Sequence, residues 1–515
     1  MPKRKRLSSG LASKLVGKSN VSDKCIHDIV STTLTEAGLD SETVSLSQWK
    51  KLVLNELPTG CLREISLPPS KGTEPLIFHC CNIKTLLQHI VNCCPNFACQ
   101  LLAAIDKAPA HRFDLIAYHD ECTAGNVLQH GTAKKCSLFY FAVKELGFLH
   151  HEEMWHPLAM IQHRMAMHLK GGFAAAWKGV LRSIMDEDLH SGLDLVFPSV
   201  DGHRPKQHRL FFCSLKYWLG DLDAHRISLD AKGSAGMKCC VRCKNVVKKD
   251  SEVSALDPYF VEITCSDSAR FDLISNEEIF GIIDELCEKQ LTESKSEMRT
   301  LEQVAGFKAN AHGAMADPEV RAMCPPDRFL FDPFHMYYGN GCCSWEICLL
   351  MDLLENHGIS RCLLQSFIAD TSWKTPCSCT TWKTASARGR LLDESYFSGD
   401  VYKGSGLDLH AVLPLLGYYL LESDVAKNPQ IQPALKSYQL LLEIRLLLSD
   451  FQHGVILDAD RLDKVQSEHQ QAFAAAYTTQ RIKPKHHVRM HLPQQFRTTQ
   501  LLIDTLPMEK RHRVP

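Results

Sequence analysis

Apolar positions in the first half of the chain favour β-strands. Runs rich in aromatic and branched residues occupy positions 112–118, 193–200 and 208–219. Residues 136–146 and 155–167 are predicted as further strands or short helices. The chain is therefore expected to build a sheet before about residue 225.

Helical periodicity dominates the later part of the chain. Ser275 and Glu278 have the spacing of a capping box, which predicts the start of a helix. Further helical patterns occur at 83–102, 171–185, 346–356, 409–422, 434–449 and 458–477. Together these patterns predict an α/β protein in which a long helical region follows the sheet.

Composition narrows the class of protein. The chain has 515 residues, of which 45% are hydrophobic and 23% charged, as in folded soluble proteins. Its most apolar stretches, 407–421 and 440–448, are too short or too often interrupted to span a bilayer, so no membrane partner is expected. With 22 cysteines and no signal-peptide pattern, we expect reduced thiols in an intracellular protein.

Charge is distributed unevenly although the net charge is only −1. Residues 1–6 carry four basic side chains, and residues 481–515 carry eight against two acids. Basic ends suit contact with a polyanion, and a solvated tail is an equally good interpretation. Arg4, Lys5 and Arg6 resemble a nuclear-localisation patch or a disordered basic tail.

Cysteines and histidines give the clearest metal signal. Cys240 and Cys243 have the C-x-x-C spacing with which a tight turn presents two thiolates to one zinc ion. His486 and His491 are a candidate for the other half of a Cys2His2 site, with His487 as a rival for His486. A chance C-x-x-C in a cysteine-rich chain is the alternative.

Acidic residues at the ends of strand-like runs are a second, weaker signal. Asp120 follows 112–118, and Asp221 follows 208–219. Converging carboxylates bind Mg²⁺ because this ion prefers hard oxygen ligands, although single aspartates also cap helices and end strands routinely. The Asp332 and His335 pair could also bind metal, but we interpret it as a satisfied structural contact.

Four segments resemble motifs of CACTA-type (En/Spm-like) DDE DNA transposases. The segment 118–126 is similar to the family's first-aspartate motif, and 220–243 to its second-aspartate and C-x-x-C block. Residues 331–346 resemble its Asp-x-x-His segment, and 483–512 its terminal histidine and glutamate block. The matches keep the family's order and extend over most of the chain.

This resemblance implies an RNase H-like mixed-sheet core interrupted by a large, mostly α-helical, zinc-containing insertion. Asp120, Asp221 and Glu509 would form a DDE triad that binds two Mg²⁺ (or Mn²⁺) ions. The layout is similar to the catalytic subunit of the V(D)J recombinase, which implies one Zn²⁺ site. Its ligands would be Cys240, Cys243, His486 and His491.

The expected domains follow from the same layout. Residues 1–107 form a basic tail and helical region, 108–225 the first part of the core, 226–484 the helical insertion, and 485–515 the zinc histidines and the return to the core. Asp223 remains a rival to Asp221 as the second carboxylate.

The expected function is cleavage and transfer of DNA strands by a nuclear protein. Its partners would be transposon ends and target DNA, on which it would assemble as a homo-oligomer. The chain ends at Pro515, shortly after Glu509, so an inactive, truncated or domesticated zinc-stabilised DNA- or protein-binding descendant is the alternative. A helix-rich protein with incidental cysteines and acids is the third interpretation.

Overall fold

In a computed structural model the chain is a mixed α/β protein with a large mixed sheet and many helices, and the structure describes residues 58–123, 135–198, 206–370, 390–397, 399–506 and 508. The strands in these ranges are β1 (Leu62–Leu67), β2 (Leu76–Cys81), β3 (Arg112–Thr123), β4 (Lys135–Val143), β5 (His156–Gln162), β6 (Leu193–Phe197), β7 (Gln207–Gly220), β8 (Val246–Val247), β9 (Val261–Glu262) and β10 (Phe329–Phe331). The α-helices in the same ranges are α1 (Ile83–Cys93), α2 (Pro95–Lys107), α3 (His163–His168), α4 (Gly172–Met185), α5 (Leu222–Ser228), α6 (Glu252–Leu256), α7 (Asn276–Lys289), α8 (Lys295–Ala305), α9 (Pro318–Met323), α10 (Pro333–Tyr337), α11 (Cys342–Asn356), α12 (Arg361–Asp370), α13 (Gly406–Glu422), α14 (Gln432–Gln452), α15 (Ala459–Tyr477), α16 (Pro484–Val488) and α17 (Leu492–Thr499). Within the described part of the chain, no helix combines the length and apolar character needed to cross a membrane.

The large sheet has the strand order β1-β2-β5-β4-β3-β7-β10, and β6 pairs with the beginning of β7. β3, β4 and β5 are antiparallel neighbours, whereas β3, β7 and β10 run parallel to one another. A parallel pair requires a long crossover connection, and the chain between β3 and β7 includes α4. Because parallel neighbours end at the same edge of a sheet, the C-terminal ends of β3, β7 and β10 lie at one edge.

The two faces of the sheet are covered differently. On one face Trp177 of α4 packs edge-to-face on Trp218 of β7, with ring centroids 4.5 Å apart, inside the main core. The opposite face carries Tyr118 of β3 and Leu219 of β7, which belong to a second buried cluster with Leu501, Ile503 and Met508. The C-terminal segment therefore lies across the face from which Tyr118 projects.

The first described residues contribute strands, which differs from the helical region expected over 1–107. β1 and β2 form an antiparallel hairpin, and Cys80 of β2 pairs with Ala159 of β5 to extend the large sheet. The predicted helix at 83–102 is two helices, because Pro95 cannot continue α1 and instead begins α2. Short strands at a sheet edge have weak periodicity, so tertiary pairing decides them.

The region 226–484 is rich in helices, but it also supplies the strand β10. Phe331 of β10 is in register with Gly220 of β7, so this part of the chain returns to the sheet edge before most of the helices follow. A three-residue apolar strand cannot be distinguished from a buried helical segment by periodicity. The helical region is therefore divided by a strand rather than continuous.

A buried polar network joins the helices of this region to the segment between α16 and α17. Glu346 of α11 accepts hydrogen bonds from the hydroxyl of Ser437 at 2.6 Å and from Nε2 of His469 at 2.7 Å. Arg489 donates to Nδ1 of His469 at 2.7 Å, and all four side chains are fully buried. Burial and the adjacent Arg489 lower the pKa of His469, so a neutral imidazole connects the carboxylate to the guanidinium.

Truncation of Glu346 is expected to destabilise the protein strongly. Glu346→Ala removes the buried anion and leaves Arg489 and His469 without their partner, a loss of about 3–5 kcal/mol. Chemical denaturation followed by circular dichroism measures this difference.

Glu355→Ala is the matched control on the same helix. Glu355 pairs with Arg361 at 2.6 Å on the surface, where an ion pair contributes about 1 kcal/mol or less. Equal losses of stability in the two variants would show that the buried network has no special role.

Candidate functional site

A turn after α5 presents two thiols on the same side. Cys240 and Cys243 are both buried, and the backbone N–H of Arg242 donates to Sγ of Cys240 at 3.4 Å. Backbone hydrogen bonds on either side of Cys243 tie the turn to residues 272–274. The two sulfurs are therefore held by backbone contacts rather than by the packing of a flexible loop.

Two buried histidines approach these thiols from the other end of the helical region. His487 lies in α16 and His491 directly precedes α17, and a separation of four residues puts both on one side of a helical turn. The carbonyl of Arg489, between them, accepts a hydrogen bond from Gln466 of α15 at 3.1 Å. The position of the histidine pair thus depends on the packing of α15.

The four side chains converge on one point. Nε2 of His491 lies 3.3 Å from Sγ of Cys240, 3.3 Å from Sγ of Cys243 and 3.3 Å from Nε2 of His487, which itself lies 3.5 Å from Sγ of Cys243. Zinc bond lengths in a tetrahedron predict sulfur–nitrogen separations of about 3.5 Å and nitrogen–nitrogen separations of about 3.3 Å. The arrangement thus has the dimensions of a tetrahedral Cys2His2 site.

This geometry corrects one predicted ligand, since the fourth ligand atom comes from His487 rather than His486. The ring of His486 is buried between Trp345 and Phe473, with centroid distances of 5.3 and 4.6 Å. Its Nδ1 accepts a hydrogen bond from the backbone N–H of Lys483 at 3.2 Å. His486 is therefore a core residue that stabilises the start of α16.

The cluster can bind a metal ion such as zinc in a structural role. All four ligands come from the protein and are buried, so a tetrahedral ion would have no open position for water or substrate. Among the residues described, this is the one group of three or more histidine, cysteine or acidic side chains that converge closely enough to hold a metal.

Asp120 lies near the end of β3, on the same side of the strand as Tyr118. The hydroxyl of Tyr118 donates to Oδ2 of Asp120 at 2.8 Å, and the backbone N–H of Glu121 donates to Oδ1 at 2.7 Å. Asp120 is half-buried. Two donors orient the carboxylate before any ligand binds.

Asp221 follows the last residue of β7 and caps α5, accepting a hydrogen bond from the N–H of Ala224 at 2.6 Å. Burial raises the pKa of Asp221, but His335, the Ala224 N–H and Lys485 together have the larger effect, and the net shift is downward. Asp221 is therefore ionised at neutral pH.

The rival Asp223 has a different environment. Its carboxylate is exposed and pairs with Arg226 one helical turn later at 2.9 Å, as surface residues of a short helix do. Strand register also favours Asp221, because Tyr118 of β3 pairs with Leu219 of β7. Two residues beyond this pair, Asp120 lies near the end of β3 and Asp221 directly follows β7.

Asp332, which follows β10, is the third aspartate at this edge of the sheet. It is fully buried, and its oxygens accept hydrogen bonds from the Phe334 N–H at 2.8 Å, from Nδ1 of His335 at 2.5 Å, and from the backbone and hydroxyl of Thr505. This agrees with our interpretation of Asp332 and His335 as a satisfied structural pair. The sequence did not indicate that the pair joins the C-terminal segment to the edge of Asp221.

Asp504 was not predicted. Burial and the nearby Asp332 raise its pKa to about 7, and it accepts hydrogen bonds from the Leu506 N–H at 2.7 Å and from the side chain of Gln452. An isolated aspartate in an apolar C-terminal segment gives no sequence signal that distinguishes it from a surface residue.

Three of the basic residues between 481 and 506 are paired with acids or buried. Arg497 pairs with acids of α15, Arg481 pairs with Asp400 at 3.0 Å, and Arg489 is fully buried. These three positive charges thus act within the protein.

Several predicted residues lie outside the described part of the chain. They include the third predicted carboxylate Glu509, the basic residues Arg4, Lys5 and Arg6, and the last basic residues Lys510, Arg511 and Arg513. Comparison of the chain with protein-family models and with curated proteins gave no match.

Replacement of either adjacent histidine tests the ligand assignment. His487→Asn shortens the side chain so that no donor reaches the position of Nε2, and we expect zinc affinity to fall at least about a hundredfold. Zinc per chain is measured by inductively coupled plasma mass spectrometry after dialysis against a weak chelator.

The same substitution at the neighbouring position is the control. In His486→Asn the amide oxygen can replace Nδ1 as acceptor for Lys483, so we expect one zinc per chain. Loss of zinc from His486→Asn alone would reverse the assignment.

Proposed function

We propose that this protein cleaves and transfers DNA strands by the DDE mechanism of transposases, on an RNase H-like core. The strand order β5-β4-β3-β7-β10 supports the core, since three antiparallel strands are followed by two that are parallel to the first. The observation that carries the proposal is that Asp120 and Asp221 occupy corresponding positions on adjacent parallel strands, Asp120 near the end of β3 and Asp221 directly after β7. A catalytic site at this edge would be built on strands, which position side chains more precisely than loops do.

Asp120 and Asp221 are suited to bind divalent cations. Asp120 presents hard carboxylate oxygens from near the end of β3 and Asp221 from directly after β7, and the lowered pKa of Asp221 favours its charged form. Mg²⁺ or Mn²⁺ would polarise the attacking and leaving oxygens of a phosphodiester. The proposed third ligand is Glu509, and the support for it is that Met508 belongs to the same buried apolar cluster as Tyr118, whose hydroxyl contacts Asp120.

The proposed reaction has two steps on the same site. In hydrolysis, a water oxygen attacks phosphorus, the bond from phosphorus to the 3′ oxygen breaks, and this oxygen leaves as a 3′-hydroxyl after gaining a proton. In joining, that 3′-hydroxyl loses its proton, attacks a phosphodiester of the target DNA, and releases a new 3′-hydroxyl. The carboxylates would orient the reacting groups in both steps, which is the main requirement of phosphoryl transfer.

A zinc-stabilised DNA- or protein-binding protein without cleavage activity is the second candidate. Asp221 already caps α5 through its bond to the Ala224 N–H, and helix capping accounts for an aspartate at this position without any catalysis. This candidate predicts bound zinc and no metal-dependent turnover.

Nicking of supercoiled plasmid in the presence of Mg²⁺ or Mn²⁺ tests the proposal. Asp221→Asn preserves an oxygen acceptor for the Ala224 N–H but removes the charge, so we expect the rate to fall at least about a hundredfold while the fold is retained. Asp120→Asn is expected to have an effect of the same order.

Asp223→Asn is the matched control, because its carboxylate is exposed and paired with Arg226. We expect it to nick at the wild-type rate, with the zinc content of all variants unchanged. Undiminished nicking by Asp221→Asn would exclude the triad, and absence of nicking by the wild-type protein would favour the second candidate.

A further inference from the structure

A lysine of the zinc-binding segment reaches the edge of the sheet where the carboxylates lie. Lys485 is part of α16, two residues before His487. Its Nζ donates hydrogen bonds to the carbonyl of His335 at 2.9 Å and to that of Gly339 at 2.7 Å. The side chain is half-buried, and these two bonds fix the position of the ammonium group.

The turn that Lys485 contacts begins at the end of β10. His335 also hydrogen bonds to Asp332, and the residue before Asp332 is in register with Gly220, which directly precedes Asp221. The ammonium group thus lies beside the edge that carries Asp221. Its charge is among those that favour the ionised form of this carboxylate.

Two carbonyl acceptors do not neutralise an ammonium group. Lysine has three N–H donors, and the bonds to His335 and Gly339 use two of them. The third donor has no hydrogen-bond partner among the described residues, and partial burial strengthens any interaction of the ammonium group with an anion. A phosphodiester is such an anion, and lysine commonly binds phosphate as a point charge.

We propose that Lys485 is a phosphate-binding residue that contacts the scissile phosphodiester, and that the zinc cluster fixes its position. The proposal deepens the proposed function and rests on it. α16 carries both Lys485 and the zinc ligand His487, so this short helix joins the metal cluster to the carboxylate edge. The positive charge would hold the phosphate while Asp120 and Asp221 hold the cations.

A purely structural role for Lys485 is the alternative, in which the ammonium only ties α16 to the turn after β10. The two roles predict different effects when Lys485 is replaced. Loss of a structural tie lowers stability or zinc content and leaves the number of phosphate contacts unchanged. Loss of a phosphate contact lowers both DNA affinity and its salt dependence.

DNA binding in the presence of Ca²⁺, which supports binding rather than turnover, tests the proposal. Fluorescence anisotropy with a short random-sequence duplex gives the dissociation constant over a series of salt concentrations. For Lys485→Gln we expect affinity about tenfold weaker. The slope of log affinity against log salt should fall in magnitude by about 1.

Two variants serve as controls. Lys436→Gln removes an exposed lysine of α14 and should leave affinity and slope unchanged. Lys485→Arg retains the charge and should keep the wild-type slope, which also covers the case in which Lys485→Gln folds poorly. Wild-type slopes in Lys485→Gln with full zinc content, or a reduced slope in Lys485→Arg with full zinc content, would overturn the proposal.

Plasmid nicking separates this proposal from the proposed function. If the wild-type protein nicks DNA and Lys485→Gln nicks it at the same rate with the same salt slope, the lysine proposal fails and the function stands. If the wild-type protein does not nick DNA but Lys485→Gln still reduces the salt slope, the phosphate contact stands and the catalytic function fails.

Discussion

The connection between Cys240, Cys243, His487 and His491 is the constraint on which the rest of the structure depends. Cys243 and His491 are 248 positions apart, so one ion bound by all four would close a very long loop. The chain-entropy model assigns about 5 kcal/mol to a cross-link of this length. Directly after His491 the chain forms α17 and then crosses the face of the sheet beneath Tyr118. The closure therefore decides where the C-terminal segment meets the sheet.

The helices inside this loop also help to hold the metal-binding histidines in place. Arg489 lies between the two histidines, and it is held from two directions, by Gln466 at its carbonyl and by His469 at its guanidinium. Partners that fix the residues around metal ligands typically change metal affinity by about 10–100-fold when lost. The buried charge of Glu346 offsets that of Arg489 through the neutral imidazole of His469. Folding of the helical region and formation of the metal cluster are thus coupled through one buried network.

Local signals in the sequence predicted the parts of the site that depend on local geometry. Local signals of this type predicted the C-x-x-C turn, Asp120 near the end of β3 and Asp221 directly after β7. The choice between the neighbouring histidines also had a local answer, since α-helical residues four apart differ in direction by about 40°, and residues five apart by about 140°. His487, four residues before His491, satisfies this rule and His486 does not. Helical phase was therefore the available signal that the predicted spacing ignored.

Contacts between distant segments were beyond what the sequence could predict. β10 is too short to have a periodicity, and only its pairing with β7 makes it a strand. Asp332 was likewise interpreted only as a structural partner of His335, and the fold places it directly after β10, beside the end of β7. The same holds for the basic C-terminal side chains, whose acidic partners such as Asp400 and Asp460 lie many residues away in sequence. Net charge along a chain cannot distinguish a free cation from one that is already paired.

Electrostatics at the sheet edge assigns different roles to acids that look alike in sequence. Asp120 lies near the end of β3, and Asp221 and Asp332 directly follow the neighbouring strands β7 and β10. Three anions at one edge of a sheet would repel one another. The oxygens of Asp332 already accept hydrogen bonds from backbone groups, Thr505 and His335, so Asp332 is not suited to bind a cation. Asp504, beside it, has a pKa raised to about 7 and so holds a proton over much of the range in which other carboxyls are ionised. For Asp221, by contrast, nearby positive groups and the Ala224 N–H lower the pKa by more than burial raises it, so the carboxyl group is anionic. Similar aspartates at this edge therefore differ in charge state, and Asp221 directly after β7 is held in its anionic form.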